Sequence, residues 1–296
     1  MKNFILIPLL LLSLTGVSQS WKYMRHEVTF GLGTSHFLGE LGGANDIGSS
    51  GIKGFKDLEF KLTRPTVAAG YRFYVSPMFA LKADLSYGRL NGDDALTTEI
   101  FRQNRNLSFR SPVIELAGRV EFYPLREYFG HLYRTNGVVG KKVNHFSPYI
   151  FLGVGGAWFN PKAEYDGKWV ALKPLQTEGV DYKRIMAVFP MGVGVKYAIS
   201  NQLSIGLEIG LRYTTSDYVD DVSDLYIDHS ASDAMTQYLA DPSLDLVHSY
   251  VDGSYVYNPT APGMQRGDPS DKDAYVFTLI TANYKFMKGK LNLPKF

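Results

Sequence analysis

Apolar and polar residues alternate with a period of two along eight segments of the chain, as in β-strands whose two faces meet different surroundings. Leu203–Thr215 is the clearest case. Leu203, Ile205, Leu207, Ile209, Leu211 and Tyr213 share one face; Ser204, Gly206, Glu208, Gly210, Arg212 and Thr214 share the other. In Phe79–Leu90, Phe79, Leu81, Leu85 and Tyr87 oppose Lys82, Asp84 and Ser86. In Val113–Tyr123, Ile114, Leu116, Val120 and Phe122 oppose Glu115, Arg119 and Glu121. In Phe189–Ile199, Met191, Val193, Val195 and Tyr197 oppose Gly192, Gly194 and Lys196. His26–Phe37, Thr66–Val75, Pro148–Phe159 and Ala274–Phe286 follow the pattern less regularly. These segments are 10 to 13 residues long, the length of a tilted strand that crosses a bilayer. An even number of antiparallel strands places both chain ends on one side.

Soluble barrels alternate too, so the chemistry of the two faces decides. The polar face mixes glycines with Glu27, Arg72, Lys82, Asp84, Glu115, Arg119, Glu121, Lys196, Glu208, Arg212 and Lys285. Small residues relieve crowding inside a narrow barrel, and charges of both signs can pair there. The apolar face carries almost no charge along its length, which lipid demands and water does not. Tyr71, Phe73, Tyr87, Phe122, Tyr123, Trp158, Phe159, Tyr197, Tyr213, Tyr284 and Phe286 lie near strand ends and suit interfacial girdles. The predicted fold is all-β: an eight-stranded antiparallel transmembrane outer-membrane β-barrel with long external loops. With the amino terminus in the periplasm, Leu38–Pro65, Asp93–Leu107, Asn160–Arg184 and Ser216–Asp273 point outside the cell. Ser76–Met78 and Ser200–Gln202 are then short periplasmic turns. Pro124–Phe146 is a periplasmic excursion far longer than a hairpin needs.

Composition sharpens this picture. The 296 residues include 20 tyrosines, 18 phenylalanines and 29 glycines, which favour strands and tight turns over helices. Lysine and arginine total 31 against 29 acids, and a net charge of +2 gives no reason to expect nucleic acid as a partner. The absence of cysteine excludes disulfides, thiolate metal sites and a lipid anchor on cysteine. Lys2, the apolar run Phe4–Leu14 and the small residues Gly16, Ser18 and Ser20 read as a signal peptide over residues 1–20, leaving 21–296 as a single barrel domain. The run is shorter than the roughly 20 residues of a spanning helix.

Candidate chemistry is sparse. In the periplasmic excursion, Arg126, Tyr128, Phe129, Tyr133, Arg134, Lys141 and Lys142 form a basic, aromatic set around the lone acid Glu127, either a plain surface loop or a contact for a periplasmic partner. Lys288, Lys290 and Lys295 of the tail fall on that same side. The last external loop carries Asp217, Asp220, Asp221, Asp224, Asp228 and Asp233, with Arg266 and Lys272 its strong bases. Its spacing lacks the alternating oxygen ligands of a calcium loop, so a solvated acidic surface is expected. Ser232–Ala240 reads as a short helix capped by Ser232. Asp228, His229, Ser230 and Ser232 are close in sequence, as are Ser35 and His36, but adjacency does not assemble a nucleophile, base and orienter. The six histidines lack metal-ligand spacing. No cofactor and no catalytic residue is predicted.

The segments HEVTFGLGTSHFLGEL (His26–Leu41), Phe159–Gly179, Phe189–Ser200, Glu208–Asp228 and Arg266–Phe286 resemble a DUF6089-like outer-membrane β-barrel family of the Bacteroidota, the one that includes PorG of the type IX secretion system. The resemblance implies a barrel associated with the periplasmic ring of a secretion and gliding apparatus. The expected role is a non-enzymatic anchor in the outer membrane. Outer-membrane lipid and periplasmic ring or lipoprotein components would be its partners. A narrow pore or small-solute carrier, and a surface adhesin or lipid-acting enzyme, are the alternatives.

Overall fold

The computed structural model describes residues 24–39, 41, 62–127, 134–135, 138–139, 144–244, 246–247, 249–251, 254–270 and 272–287. The predicted signal peptide, Lys288, Lys290 and Lys295 lie outside them. All eight alternating segments form strands: β1 His26–Leu38, β2 Arg64–Tyr74, β3 Phe79–Asp93, β4 Ser108–Phe122, β5 Phe146–Phe159, β6 Ile185–Ala198, β7 Leu203–Thr214 and β8 Ala274–Phe286. Each pairs antiparallel with the next in sequence. β8 pairs with β1 from His26↔Phe286 to Leu38↔Ala274, which closes the ring. Closure removes both sheet edges, so no strand of the ring is left with an unpaired side.

Alternation then sorts the side chains. Phe30 is 64% exposed, Leu32 68% and Ile280 68%, as expected of an outer wall built to meet lipid. Their neighbours in sequence, Thr29 and Thr281, are buried in the lumen. Among the described residues no helix is long and apolar enough to cross a membrane; the strands are the crossing elements.

β3, β4 and β6 each run three to five residues further than alternation predicts, all at the end bearing the long connections. On β3 and β4 the outward positions there become polar, as at Arg89, Asn91 and Arg110, so the apolar signal fades while the ladder continues, whereas β6 keeps Ile185 and Ala187 outward. Two members of the predicted aromatic girdle prove to be internal. Tyr123 and Phe159 are 1% and 0% exposed, because their strand parity points them into the lumen. Tyr71, Tyr87, Tyr197, Tyr284 and Phe286 do face outward.

The two short turns at the other end, which also holds both ends of the closed sheet, use one device twice. Ser76 Oγ accepts from the amides of Met78 and Phe79, and Ser200 Oγ accepts from those of Gln202 and Leu203. The long connections carry, among other short elements, helix α1 Ile100–Arg105, a hairpin of Lys162–Tyr165 with Lys168–Ala171, and helix α2 Ala234–Ala240. Asp233 caps α2 through Thr236 N, not Ser232, whose hydroxyl turns toward His229.

The core is layered along the barrel axis. At the long-connection end Leu90, Phe109, Val113, Phe159, Tyr275 and Phe277 from the strands pack with Val219 and Val222 from the last connection. At the terminal end the layer is Tyr74, Tyr123, Tyr149 and Phe151. Each fully buried phenylalanine contributes about 2–3 kcal/mol by leaving water. The charges lie between and among these layers.

Candidate functional site: the filled lumen and its closures

Alternate positions of neighbouring strands aim the eleven predicted lumen charges at one another, and all are buried. Nearest the terminal end, Arg72 on β2 donates from Nε to Glu121 Oε2 on β4 at 2.5 Å and from Nη2 to Oε1 at 3.2 Å, and Nη1 meets Glu27 on β1. Tyr74 and Tyr123 donate hydroxyl hydrogens to Glu27 and Glu121 at 3.0 and 2.5 Å. Lys196 on β6 reaches Glu27 Oε2 at 3.1 Å. In the middle, Arg119 binds Glu208 through two bonds of 2.7 and 2.6 Å, with Asp84 2.9 Å from its Nε. Lys82 pairs with Asp84 at 2.8 Å. Toward the long-connection end, Arg212 lies 3.4 Å from Glu115, which also accepts from Tyr275 at 2.7 Å.

Glycine makes room for this packing. A Cβ on Gly194 would lie 2.3 Å from the ring of Tyr149. Its absence lets that ring lie across the lumen and donate to Glu208 at 2.7 Å.

The strand charges do not balance. Arg72, Lys82, Arg119, Lys196, Arg212 and Lys285 face Glu27, Asp84, Glu115, Glu121 and Glu208, leaving one cation over. The missing carboxylate comes from the Pro124–Phe146 excursion. Glu127 folds back into the barrel mouth, with its Oε1 against Lys285 and 3.3 Å from Lys196, and its side chain is 5% exposed. Beside it, the Arg126 guanidinium lies 5.2 Å from the Tyr74 ring centroid. Arg126 is therefore half-buried at the mouth. Asn144 donates to the carbonyl of Arg126 at 3.0 Å and Ser147 to that of Leu125 at 2.8 Å, so both ends of the excursion are pinned together. Tyr128, Phe129, Tyr133, Lys141 and Lys142 lie outside the described residues, and Arg134 is described only as part of a two-residue strand. The signal for Glu127 was present in the sequence as an excess of one cation at the lumen positions, beside one acid in a basic stretch.

The other end is closed by a folded cap. Arg266 is 2% exposed and donates from Nη1 to Glu178 Oε1 at 2.9 Å and to the Asp221 carbonyl at 2.6 Å. Glu178 in turn accepts from the amides of Ser223 and Asp224, both at 3.0 Å. Arg105 links α1 to this hub through the Arg266 carbonyl at 2.7 Å and through Asp94. The expectation of a solvated acidic loop is thus corrected for Asp217, Asp220 and Asp221, which are buried; Asp224 and Asp228 are exposed. The buried aspartates serve as internal acceptors for a connection with few repeating backbone bonds. Thr177 Oγ1 and Tyr182 Oη donate to Asp221, both at 2.5 Å, and Ser223 Oγ donates to Asp217 at 2.7 Å. Burial raises the Asp217 carboxyl to about 6, and burial raises Asp221 to about 6 despite the neighbouring Arg266. Burial, then the adjacent Asp221, drives the Tyr182 hydroxyl far above the ordinary phenol range.

The remaining candidates do not assemble. Asp228 accepts from its own turn at Ser230 N, 2.8 Å away, while His229 bonds the Thr177 carbonyl at 2.9 Å through Nε2. No nucleophile, base and carboxylate orienter come together there. Ser35 Oγ donates to backbone carbonyls of Arg64 and Arg89 and does not face His36. Among the described residues no group of three or more His, Asp or Glu side chains is placed to hold a metal ion.

Ring closure, an apolar exterior and a lumen filled by paired charges define a closed eight-stranded antiparallel barrel of the outer-membrane type. More particularly, the chain belongs to the family described as a domain of unknown function, DUF6089, whose model matches residues 2–229. No curated protein matches it. Among solved structures, Neisserial surface protein A is similar at 7% identity, over 88% of this chain and 97% of that one, with a TM-score of 0.36. Ail, the attachment invasion locus protein of Yersinia pestis, is similar at 10% identity over 89% and 99%, with a TM-score of 0.37. A major outer membrane protein from Thermus thermophilus is similar at 12% identity over 88% and 99%, with a TM-score of 0.33.

Proposed function

We propose that this protein is a non-enzymatic outer-membrane anchor, inserted with its termini in the periplasm, that holds a periplasmic assembly of the type IX secretion and gliding apparatus. The observation that carries this reading is the rooting of the excursion by Glu127 between Lys196 and Lys285. A loop that only bridges two strands needs no ionic root inside the barrel. A loop that bears load does, because force on it then passes to β6 and β8 and so to the whole ring. The paired lumen supports an anchor over a pore or solute carrier, since side chains occupy the axis. The resemblance to the Bacteroidota family that includes PorG supplies the assembly: periplasmic ring or lipoprotein components, with outer-membrane lipid around the wall.

The test is affinity purification from mild-detergent extracts of native membranes, followed by mass spectrometry, with residues 128–143 replaced by a short Gly/Ser linker that leaves Glu127 in place. The native chain is expected to bring down periplasmic ring and lipoprotein components, and the replacement chain to insert but lose them. Unchanged recovery with the replacement chain would overturn the assignment of the contact. A native chain recovered alone would overturn the anchor role.

A further inference from the structure

On the outward positions of the eight strands, the Asp, Glu, Lys and Arg residues are Arg89, Asp93 and Arg110, and all three lie on β3 and β4 at the long-connection end. Their order along the wall is regular. The last lipid-facing level consists of Tyr87, Ile114 and Trp158, paired side by side. One level up, about 7 Å further along the strands, Arg89 pairs with Pro112. At the next level Asn91, Arg110 and Lys162 stand in a row across three strands. The acids Asp93 and Glu164 occupy the level beyond that, further from the apolar band.

Elsewhere in the barrel, buried charges have partners of opposite sign. Among the described residues Arg89, Arg110 and Lys162 have no ion pair, and all three are half-exposed. Arg110 lies against Trp169, 40% exposed and 5.0 Å from ring centroid to guanidinium. Three unpaired cations grouped across adjacent strands, directly above an apolar wall and beside an amphipathic indole, match the chemistry of an anionic lipid phosphate. Acyl chains would lie on Tyr87, Leu85 and Ile114 while the phosphate meets the cations. An acidic soluble partner would not require the cations to adjoin the lipid level, nor the acids to stand behind them.

We propose that Arg89, Arg110 and Lys162 form a docking site for the phosphate monoesters of a net-anionic membrane lipid in the leaflet at the long-connection end. The site rests on the reading of the barrel as membrane-inserted. It assigns a specific annular lipid to one sector of the wall and leaves the rest of the wall to non-specific lipid.

Native mass spectrometry of the detergent-solubilised full chain, titrated with diphosphoryl lipid A and separately with phosphatidylcholine, tests it. The native chain is expected to retain lipid A more tightly than phosphatidylcholine, and millimolar inorganic phosphate is expected not to displace it. A variant carrying Arg89→Gln, Arg110→Gln and Lys162→Gln is expected to bind lipid A at least about tenfold more weakly and phosphatidylcholine equally. Arg110→Gln alone, which leaves two cations, is expected to show a smaller loss and serves if the triple variant does not fold. Equal lipid A retention by native and variant chains would overturn the site, as would displacement by free phosphate. Insertion is read separately, from protease protection of the strands in phosphatidylcholine vesicles. Failure there would overturn the membrane reading itself, whereas intact insertion with unchanged lipid A binding would overturn only the docking site.

Discussion

Replacing Glu127 with glutamine tests whether the excursion is ionically rooted in the barrel. The substitution keeps the side chain's shape and removes the one carboxylate that balances the lumen. Lys196 retains Glu27 Oε2 at 3.1 Å and the Tyr74 hydroxyl at 2.5 Å. Lys285, 6% exposed, loses the acid that faces it. At an effective dielectric constant of 20, a unit charge pair near 3 Å is worth roughly 5 kcal/mol before desolvation is counted. Breaking a fully buried pair costs about 3–5 kcal/mol. The barrel mouth adjoins water, so we expect the lower end, about 2–3 kcal/mol. The assay is urea unfolding in lipid vesicles followed by tryptophan fluorescence, for which Trp158 on the outer wall is a reporter. Trypsin cleavage after Arg126 provides a local measure of root opening. Adding Lys285→Gln should return part of the loss, a coupling of about 1–2 kcal/mol. A single variant within about 0.5 kcal/mol of the native chain, with unchanged cleavage at Arg126, would refute the root.

Arg119→Met should be at least as damaging, about 3–5 kcal/mol, because Glu208 loses two bonds and Asp84 loses a cation deep in the lumen; urea unfolding checks it, and pairing with Glu208→Gln should recover part of the loss. The cap should tighten as pH falls. Asp217 and Asp221 have folded values of about 6, above the unfolded carboxyl value of about 4, so the folded cap binds protons that the unfolded chain does not. Stability therefore falls as pH rises from about 4 to about 6 and is regained on acidification. Each group should add about 1 kcal/mol between pH 7 and pH 5. Hydrogen exchange over residues 217–223, corrected for intrinsic rates, should slow on that shift, and Asp221→Asn should reduce the dependence.

The barrel was legible because period-2 alternation survives along every strand, and the lumen charges because alternation fixes which residues share a face. Arg119 and Glu208 could be placed in the same interior, though not in the same bidentate bond, since strand order does not determine which side chains meet across the axis. The cap was not legible. Asp217, Asp220 and Asp221 look like solvated acids in a polar stretch. The surroundings of Asp221 come from Thr177, Tyr182 and Arg266, which lie 44, 39 and 45 residues away, and no local period announces such contacts. Which cations Glu127 meets was hidden in the same way. Its partners lie 69 and 158 residues further on. Tyr123 and Phe159 were misplaced because an aromatic at a strand end belongs equally well to a girdle or to an interior layer, and only parity with its neighbours separates the two.

The position of Lys285 sets an order of events. It lies on β8, the last strand, which pairs with β7 on one side and on the other closes the ring on β1, whose Thr29 is 254 residues from its partner Asn283. Until β8 is in place, Glu127 has Lys196 within reach at most and the mouth stands one cation short. The full root of the excursion therefore requires β8, the last strand of the ring, to be in place. A partner that recognises the rooted conformation would be blind to half-built barrels during biogenesis, so that maturation of the wall and recruitment to it are tied to a single closing step.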